Sequence, residues 1–152
     1  MPGPLVAPGT YQVRLSVGEW TQSRPIEVRV DPRVAAAGVT QADLQEQVDL
    51  LLKLGDAVAD ARALAVKLQS ARDAAKADAG RAKSIQALVD RLVTANIVYP
   101  TPMLIDQLSN IARMAGQADQ KPGRDAFQRY GDLMKESAAI KSAAAKLGIE
   151  GR

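Results

Sequence analysis

Residues 50–68 read Leu50-Leu51-Leu52-Lys53-Leu54-Gly55-Asp56-Ala57-Val58-Ala59-Asp60-Ala61-Arg62-Ala63-Leu64-Ala65-Val66-Lys67-Leu68. Here and just beyond, Leu50, Leu54, Ala57, Ala61, Leu64, Leu68, Ala71 and Ala75 recur in alternating steps of four and three. That spacing keeps every one of them on a single face of an α-helix, and over so many turns it forms a heptad seam. Leu44, Val48, Leu51 and Val58 widen the stripe near its start. Upstream, Thr40-Gln41-Ala42-Asp43 has the form of a capping box, with Asp43 a shorter substitute for the usual Glu or Gln. A helix is predicted over residues 41–77, about 55 Å long at 1.5 Å per residue. Gly80 marks the turn after it.

Toward the C-terminus a second helix is predicted over 82–97, with Ile85, Leu88, Leu92 and Ala95 on one face. Tyr99-Pro100-Thr101-Pro102 interrupts it, because each proline disfavours the α conformation in the residue before it. Thr101 is the predicted N-cap of a third helix, 102–117, with Pro102 at its first position and Leu104, Leu108, Ile111 and Ala115 as its seam. Asp119-Gln120-Lys121-Pro122-Gly123 has turn chemistry. A fourth helix, 123–147, carries Ala126, Tyr130, Leu133, Ser137, Ile140, Ala144 and Leu147 at the same alternating spacing. Short connections favour antiparallel neighbours. The preferred arrangement is three long antiparallel segments with the middle one broken at the prolines; a compact four-helix bundle is the alternative.

Toward the N-terminus the period changes from 3.5 to 2. Residues 1–9 read as a linker. Tyr11, Val13, Leu15 and Val17 then alternate with Gln12, Arg14 and Ser16, the pattern of a half-buried strand. Gly18-Glu19 is a tight turn. Ile26, Val28 and Val30 alternate with Glu27 and Arg29 in a second strand, where Pro25 implies an edge position or a bulge. Residues 33–38 read as a connector. A two-stranded hairpin is marginal by itself in water. Either the helices cover its apolar face, or strands outside the chain do. The expected fold is therefore mostly α: a β-hairpin and connector (10–38), the end of an immunoglobulin-like sheet, followed by an elongated antiparallel three- to four-helix bundle (39–148). Ile149-Glu150-Gly151-Arg152 spells a factor Xa recognition sequence and is set apart from the fold.

Composition narrows the chemistry. The 152 residues include 27 alanines, and aromatics make up only 3%, which suits closely packed helices rather than an aromatic-lined pocket. The chain has no His and no Cys. That removes thiol and imidazole nucleophiles, the Ser-His-Asp triad, structural zinc, iron–sulfur clusters and disulfides. The net charge of +3 is spread along the chain, without the basic face or stacking aromatics of a nucleic-acid binder. No run reaches the roughly 18 apolar residues of a membrane span. Residues 1–20 lack the basic and apolar regions of a signal peptide. No phosphate loop or metal-ligand set is present, and no cofactor is expected.

Several segments, taken in order, carry a resemblance. Ala7-Pro8-Gly9-Thr10-Tyr11-Gln12-Val13-Arg14-Leu15 resembles the closing strands of an immunoglobulin-like module, and Val28-Arg29-Val30-Asp31-Pro32-Arg33-Val34 the link that leaves it. Asp43 to Leu54, Tyr99 to Leu108, and Ala118 to Ala126 follow. Together they resemble the C-terminal region of large bacterial proteins built on sortilin-like β-propellers with BNR (Asp-box) repeats, often labelled glycosyl hydrolase or sialidase-like. The resemblance spans residues 7–140. It implies the tail of an exported multi-domain protein, periplasmic or extracellular. It carries over no Asp-box and no catalytic residue.

Six residues stand out as partner-facing candidates. Trp20 follows the hairpin turn, and could meet a partner or cover its own sheet. Tyr99, Pro100 and Pro102 form a corner between helices. Lys121 and Arg124 could grip a ligand, or belong to a simple inter-helix turn. Tyr11 is a candidate anchor through its hydroxyl, as in a tyrosine corner. The acids Asp43, Asp49, Asp56, Asp60, Asp73 and Asp78 spread along a helix surface rather than pairing in a cleft as glycoside hydrolysis requires. Three functions follow. The first is a non-catalytic structural and interaction module within a larger parent chain. The second is a free-standing helical adaptor that self-associates through its seams. The third is a small helical enzyme working through charges such as Arg62, Arg72 and Arg113.

Overall fold

A computed structural model describes residues 3–150. The chain is mostly helical, with an N-terminal antiparallel hairpin followed by helices. The elements are β1 (Gly9–Val17), β2 (Trp20–Val28), α1 (Pro32–Ala36), α2 (Gln41–Ala74), α3 (Ala79–Leu92), α4 (Leu104–Ala115) and α5 (Arg124–Lys146). Gly18 takes φ +59° while Glu19 stays negative, the pattern of a type II′ turn, whose twist matches the flanking strands. Pairing then runs without slip from Val17 opposite Trp20 to Gly9 opposite Val28. Pro25 lies opposite Gln12 in unbroken register, so the bulge is absent and the edge position is what accommodates it.

The predicted connector contains a helix. Asp31 Oδ1 accepts the Arg33 amide at 2.8 Å and Pro32 stands at the first helical position, so a capped turn forms over Pro32–Ala36. At α2 both halves of the capping box are present: Thr40 Oγ1 accepts the Asp43 amide at 3.1 Å, and Asp43 Oδ2 accepts the Thr40 amide at 3.0 Å. At 34 residues, α2 is about 51 Å long.

Leu50, Leu54, Ala57, Ala61, Leu64 and Leu68 are all buried. They meet Ile85, Leu88 and Leu92 of α3, Leu104, Leu108 and Ala112 of α4, and Leu133, Ile140 and Ala144 of α5 in one cluster. Full burial of a leucine is worth about 1.5–3 kcal/mol, so this cluster holds the helices together. The seam extrapolates back to Gln47, which is buried. Its Nε2 donates to the carbonyls of Ala115 (2.6 Å) and Ala118 (2.7 Å). It thereby satisfies an end-of-helix carbonyl of α4 that would otherwise be unpaired.

Three helix ends differ from the sequence expectation. The turn after α2 falls at 75–78, and Gly80 lies inside α3, because Asp78 caps that helix by accepting the Arg81 amide at 2.9 Å. The α3 helix stops at Leu92 rather than at 97, since Val93 turns extended. Thr94 Oγ1 then accepts the Met103 amide at 2.9 Å, tying the two ends of the 93–103 loop. That bond displaces the predicted cap: α4 starts at Leu104 with Met103 as N-cap, and Thr101 and Pro102 lie in the loop.

At the other end of the chain, Gly148 takes φ +72°. Its amide reaches the Ala145 carbonyl (2.9 Å) and the Ile149 amide reaches the Ala144 carbonyl (3.0 Å). These are the two bonds of a Schellman motif. Ile149, set apart in the sequence reading, is buried in the core cluster, and the Glu150 carbonyl accepts from Lys67 Nζ at 3.0 Å. Gly151 and Arg152 lie outside the described residues.

Candidate functional site

The hairpin stands clear of this core. One of its faces carries Tyr11, Val13, Leu15 and Val17 from β1, and Trp20, Gln22, Arg24, Ile26 and Val28 from β2, since paired residues share a face. Val13, Leu15, Val17, Trp20 and Ile26 are 48–65% exposed. The helices do not cover this face. Only the root is fastened. Tyr11 Oη donates to the Ala7 carbonyl at 2.5 Å, the bond of a tyrosine corner, and Gln41 Nε2 donates to the Pro8 carbonyl at 2.8 Å. Ala7 itself is buried. Trp20 pairs with Val17 beside the turn and is half exposed, so it shields its own sheet incompletely.

The other candidates lie elsewhere. Tyr99 sits in the 93–103 loop at φ +56° and is 95% exposed, next to exposed Ile97 and Val98. Pro100 and Pro102 are exposed in the same loop. A left-handed conformation costs a non-glycine residue roughly 1–2 kcal/mol. Lys121 Nζ pairs with Asp43 Oδ1 at 3.0 Å, linking the α4–α5 turn to the start of α2. Arg124 begins α5 and is exposed. The 93–103 loop borders Gln69 and Arg72, whereas Lys121 meets Asp43; along α2 those points are about 40 Å apart. The six candidates therefore do not converge on one site.

Some charged groups pair with one another. The Thr40 hydroxyl, the Thr40 amide and the Lys121 ammonium together hold the Asp43 carboxyl down at about 2, and Asp43 in turn raises Lys121. Hydrogen bonds from the Arg33 side chain and amide likewise hold Asp31 at about 2. Asp60 pairs with Lys141 across to α5 at 3.0 Å. A cleft of about 400 Å³ opens beside the 93–103 loop. Three of its polar side chains bond one another: Arg72 Nη1 donates to Gln86 Oε1 and Gln86 Nε2 to Asp90 Oδ1, both at 2.6 Å. Arg62 and Arg113 are exposed, and Arg113 donates to Asn110 of its own helix. The buried polar residues among the described ones are Gln47 and Ser137, so no charge is gathered inside the bundle. No group of three acids that could hold a metal ion occurs among the described residues, and no helix is long and apolar enough to cross a membrane.

Comparison with protein-family models, curated proteins and solved structures finds no match for this chain. Gln47, Thr94 and Ile149, which organise the ends of the helices, were not visible as such in the sequence. Only Gln47 left a signal there, a polar residue at a seam position.

Proposed function

We propose that this chain is a non-catalytic structural and interaction module, whose helices form a self-sufficient support and whose hairpin is offered to β-structure outside it. One observation carries the reading: the apolar face of the hairpin is exposed while the helical core closes without it. A face of this kind marks an interaction surface more often than a solvated one. The helices are read as an elongated antiparallel arrangement of three long segments, α2, then α3 with α4, then α5. Contacts at both ends support it: Gln47 with Ala115 and Lys121 with Asp43 at one, Arg81 Nη2 with the Leu147 carbonyl at the other.

The partner is read as the rest of an exported, propeller-bearing, glycosyl-hydrolase-like parent, with this chain near its C-terminal end. The resemblance of residues 7–15, 28–34, 99–108 and 118–126 supports that parent, and the Tyr11 anchor suits an immunoglobulin-like sheet. The test is the genomic reading frame upstream of the Met1 codon. An open frame encoding strands and Asp-box repeats is expected; a stop codon followed by a ribosome-binding site would sink the parent.

The second reading, a self-associating adaptor, would have to pair through the hairpin, because the heptad seams are buried against the chain's own helices. Light scattering that shows a monomer at high micromolar concentration would dispose of it.

A further inference from the structure

The two edges of the hairpin are not equivalent. In an antiparallel pair, opposed residues alternate between those that exchange backbone hydrogen bonds and those whose amides and carbonyls point away from the partner strand. With a two-residue turn, Val17 and Trp20 close the ladder as a bonded pair. The register then points Thr10, Gln12, Arg14 and Ser16 outward on β1, and Thr21, Ser23, Pro25 and Glu27 outward on β2. On β1 the row of outward amides is complete. On β2 it is broken at its middle, because Pro25 has no N–H. Among the described residues, no backbone hydrogen bond from outside the hairpin reaches either row.

The apolar face is asymmetric in the same direction. Along β1 it runs Tyr11, Val13, Leu15, Val17 without interruption. Along β2 it runs Trp20, Gln22, Arg24, Ile26, with two polar residues in the middle. Full hydrogen-bonding capacity and a continuous apolar stripe therefore coincide on one edge. A two-stranded ribbon gains independent stability from a third strand with an apolar face.

We propose that the outer edge of β1, residues 10–16, is an acceptor site for an extended strand whose alternate side chains are apolar, and that the outer edge of β2 is closed to one. The incoming strand bonds to the row Thr10, Gln12, Arg14 and Ser16 and lays its apolar side chains beside Val13 and Leu15, the β-augmentation mode. In the parent, β1 thereby becomes an interior strand and β2 remains the edge, where its proline discourages further pairing. This rests on the reading of the hairpin as an interaction element, and it adds which edge is used and by what.

The test uses the whole chain, isotopically labelled, and an end-blocked synthetic peptide copying Gly9–Val17, which has the required alternation. Residue-resolved amide exchange is followed with and without the peptide, together with Trp20 emission. Slowed exchange at Thr10, Gln12, Arg14 and Ser16 is the expected result. Slowing at Thr21, Ser23 and Glu27 instead would overturn the choice of edge and leave the hairpin reading standing. Changed Trp20 emission with no slowed amide would mean docking on the face alone, and would overturn strand addition only. No change in either would overturn both.

Two variants sharpen the result. Gln12→Pro removes an outward amide that the hairpin does not use, and should weaken peptide binding roughly tenfold or more. Ser23→Pro makes the same change on β2 and should leave binding within about twofold. Equal effects of the two would contradict the proposal. The exchange map itself needs neither variant to fold.

Discussion

In α2, the apolar residues Leu54 and Leu68 are completely shielded; in β1, Leu15 and Val17 are 58% and 65% exposed. Both sets are placed with strict periodicity, and both would bury similar area per residue. The difference is in what lies opposite. The α2 seam finds α3, α4 and α5 within the same chain, whereas the hairpin finds only the anchors at its root. Periodicity specifies which face is apolar and leaves open who supplies the covering surface. Here the helical core cluster forms within the chain while the hairpin face stays exposed, and on this the functional reading depends.

Substitutions can break or sharpen that contrast. The largest effect is expected in the helical core: Leu64→Ala should destabilise the chain by about 2–5 kcal/mol, measured by urea denaturation, through lost burial and the cavity left behind. A smaller loss would mean that α2 is packed more loosely than its burial shows. Next comes Gly148→Ala, which places a side chain at φ +72° and should cost roughly 1–2 kcal/mol in the same assay. An unchanged midpoint would show that the cap and Ile149 do not seal the end of α5. Thr40→Ala removes a working N-cap from α2 and should cost about 1 kcal/mol.

Acid should act on the same end of α2. The folded Asp43 carboxyl is held at about 2, below its ordinary 3.8. Its stabilising contribution is therefore complete above pH 3.8 and disappears as the pH falls toward 2. In Asp43→Asn, stability should lose part of this acid dependence, as read from thermal midpoints between those two values. A variant with the full wild-type dependence would show that other carboxylates govern the acid limb.

The smallest effect is expected on the hairpin face. Leu15→Ser should change the stability of the isolated chain by less than about 0.5 kcal/mol, because the side chain gives up little burial. A loss comparable to that of Leu64→Ala would erase the contrast.

The sequence made the strands, their turn, the α2 cap and the leucine seams legible because each depends on neighbours three, four or two residues away. Tyr11 was legible too, as its partner Ala7 is local. What escaped depends on residues meeting across a loop or across helices. Thr94 takes the Met103 amide, so Thr101 loses its capping role. Gln47 looks like a flaw in the seam until α4 ends against it. Ile149 reads as part of a protease site until Gly148 turns it into the core. The Asp31-Pro32 signal for α1 is local, but a helix of five residues is too short to show a 3.6-residue period. The six candidate residues were each locally conspicuous, and only the folded chain separates the Lys121 tie from the exposed Tyr99 corner and the open hairpin.

Residue-resolved amide hydrogen exchange on the isolated chain tests the central claim most directly. The account predicts that the ladder amides of Val13, Leu15 and Gln22 open far more readily than those of Leu54, Leu64 and Leu68, which should exchange only through global unfolding. Hairpin amides as well protected as those of α2 would contradict it, because the hairpin would then already have its cover.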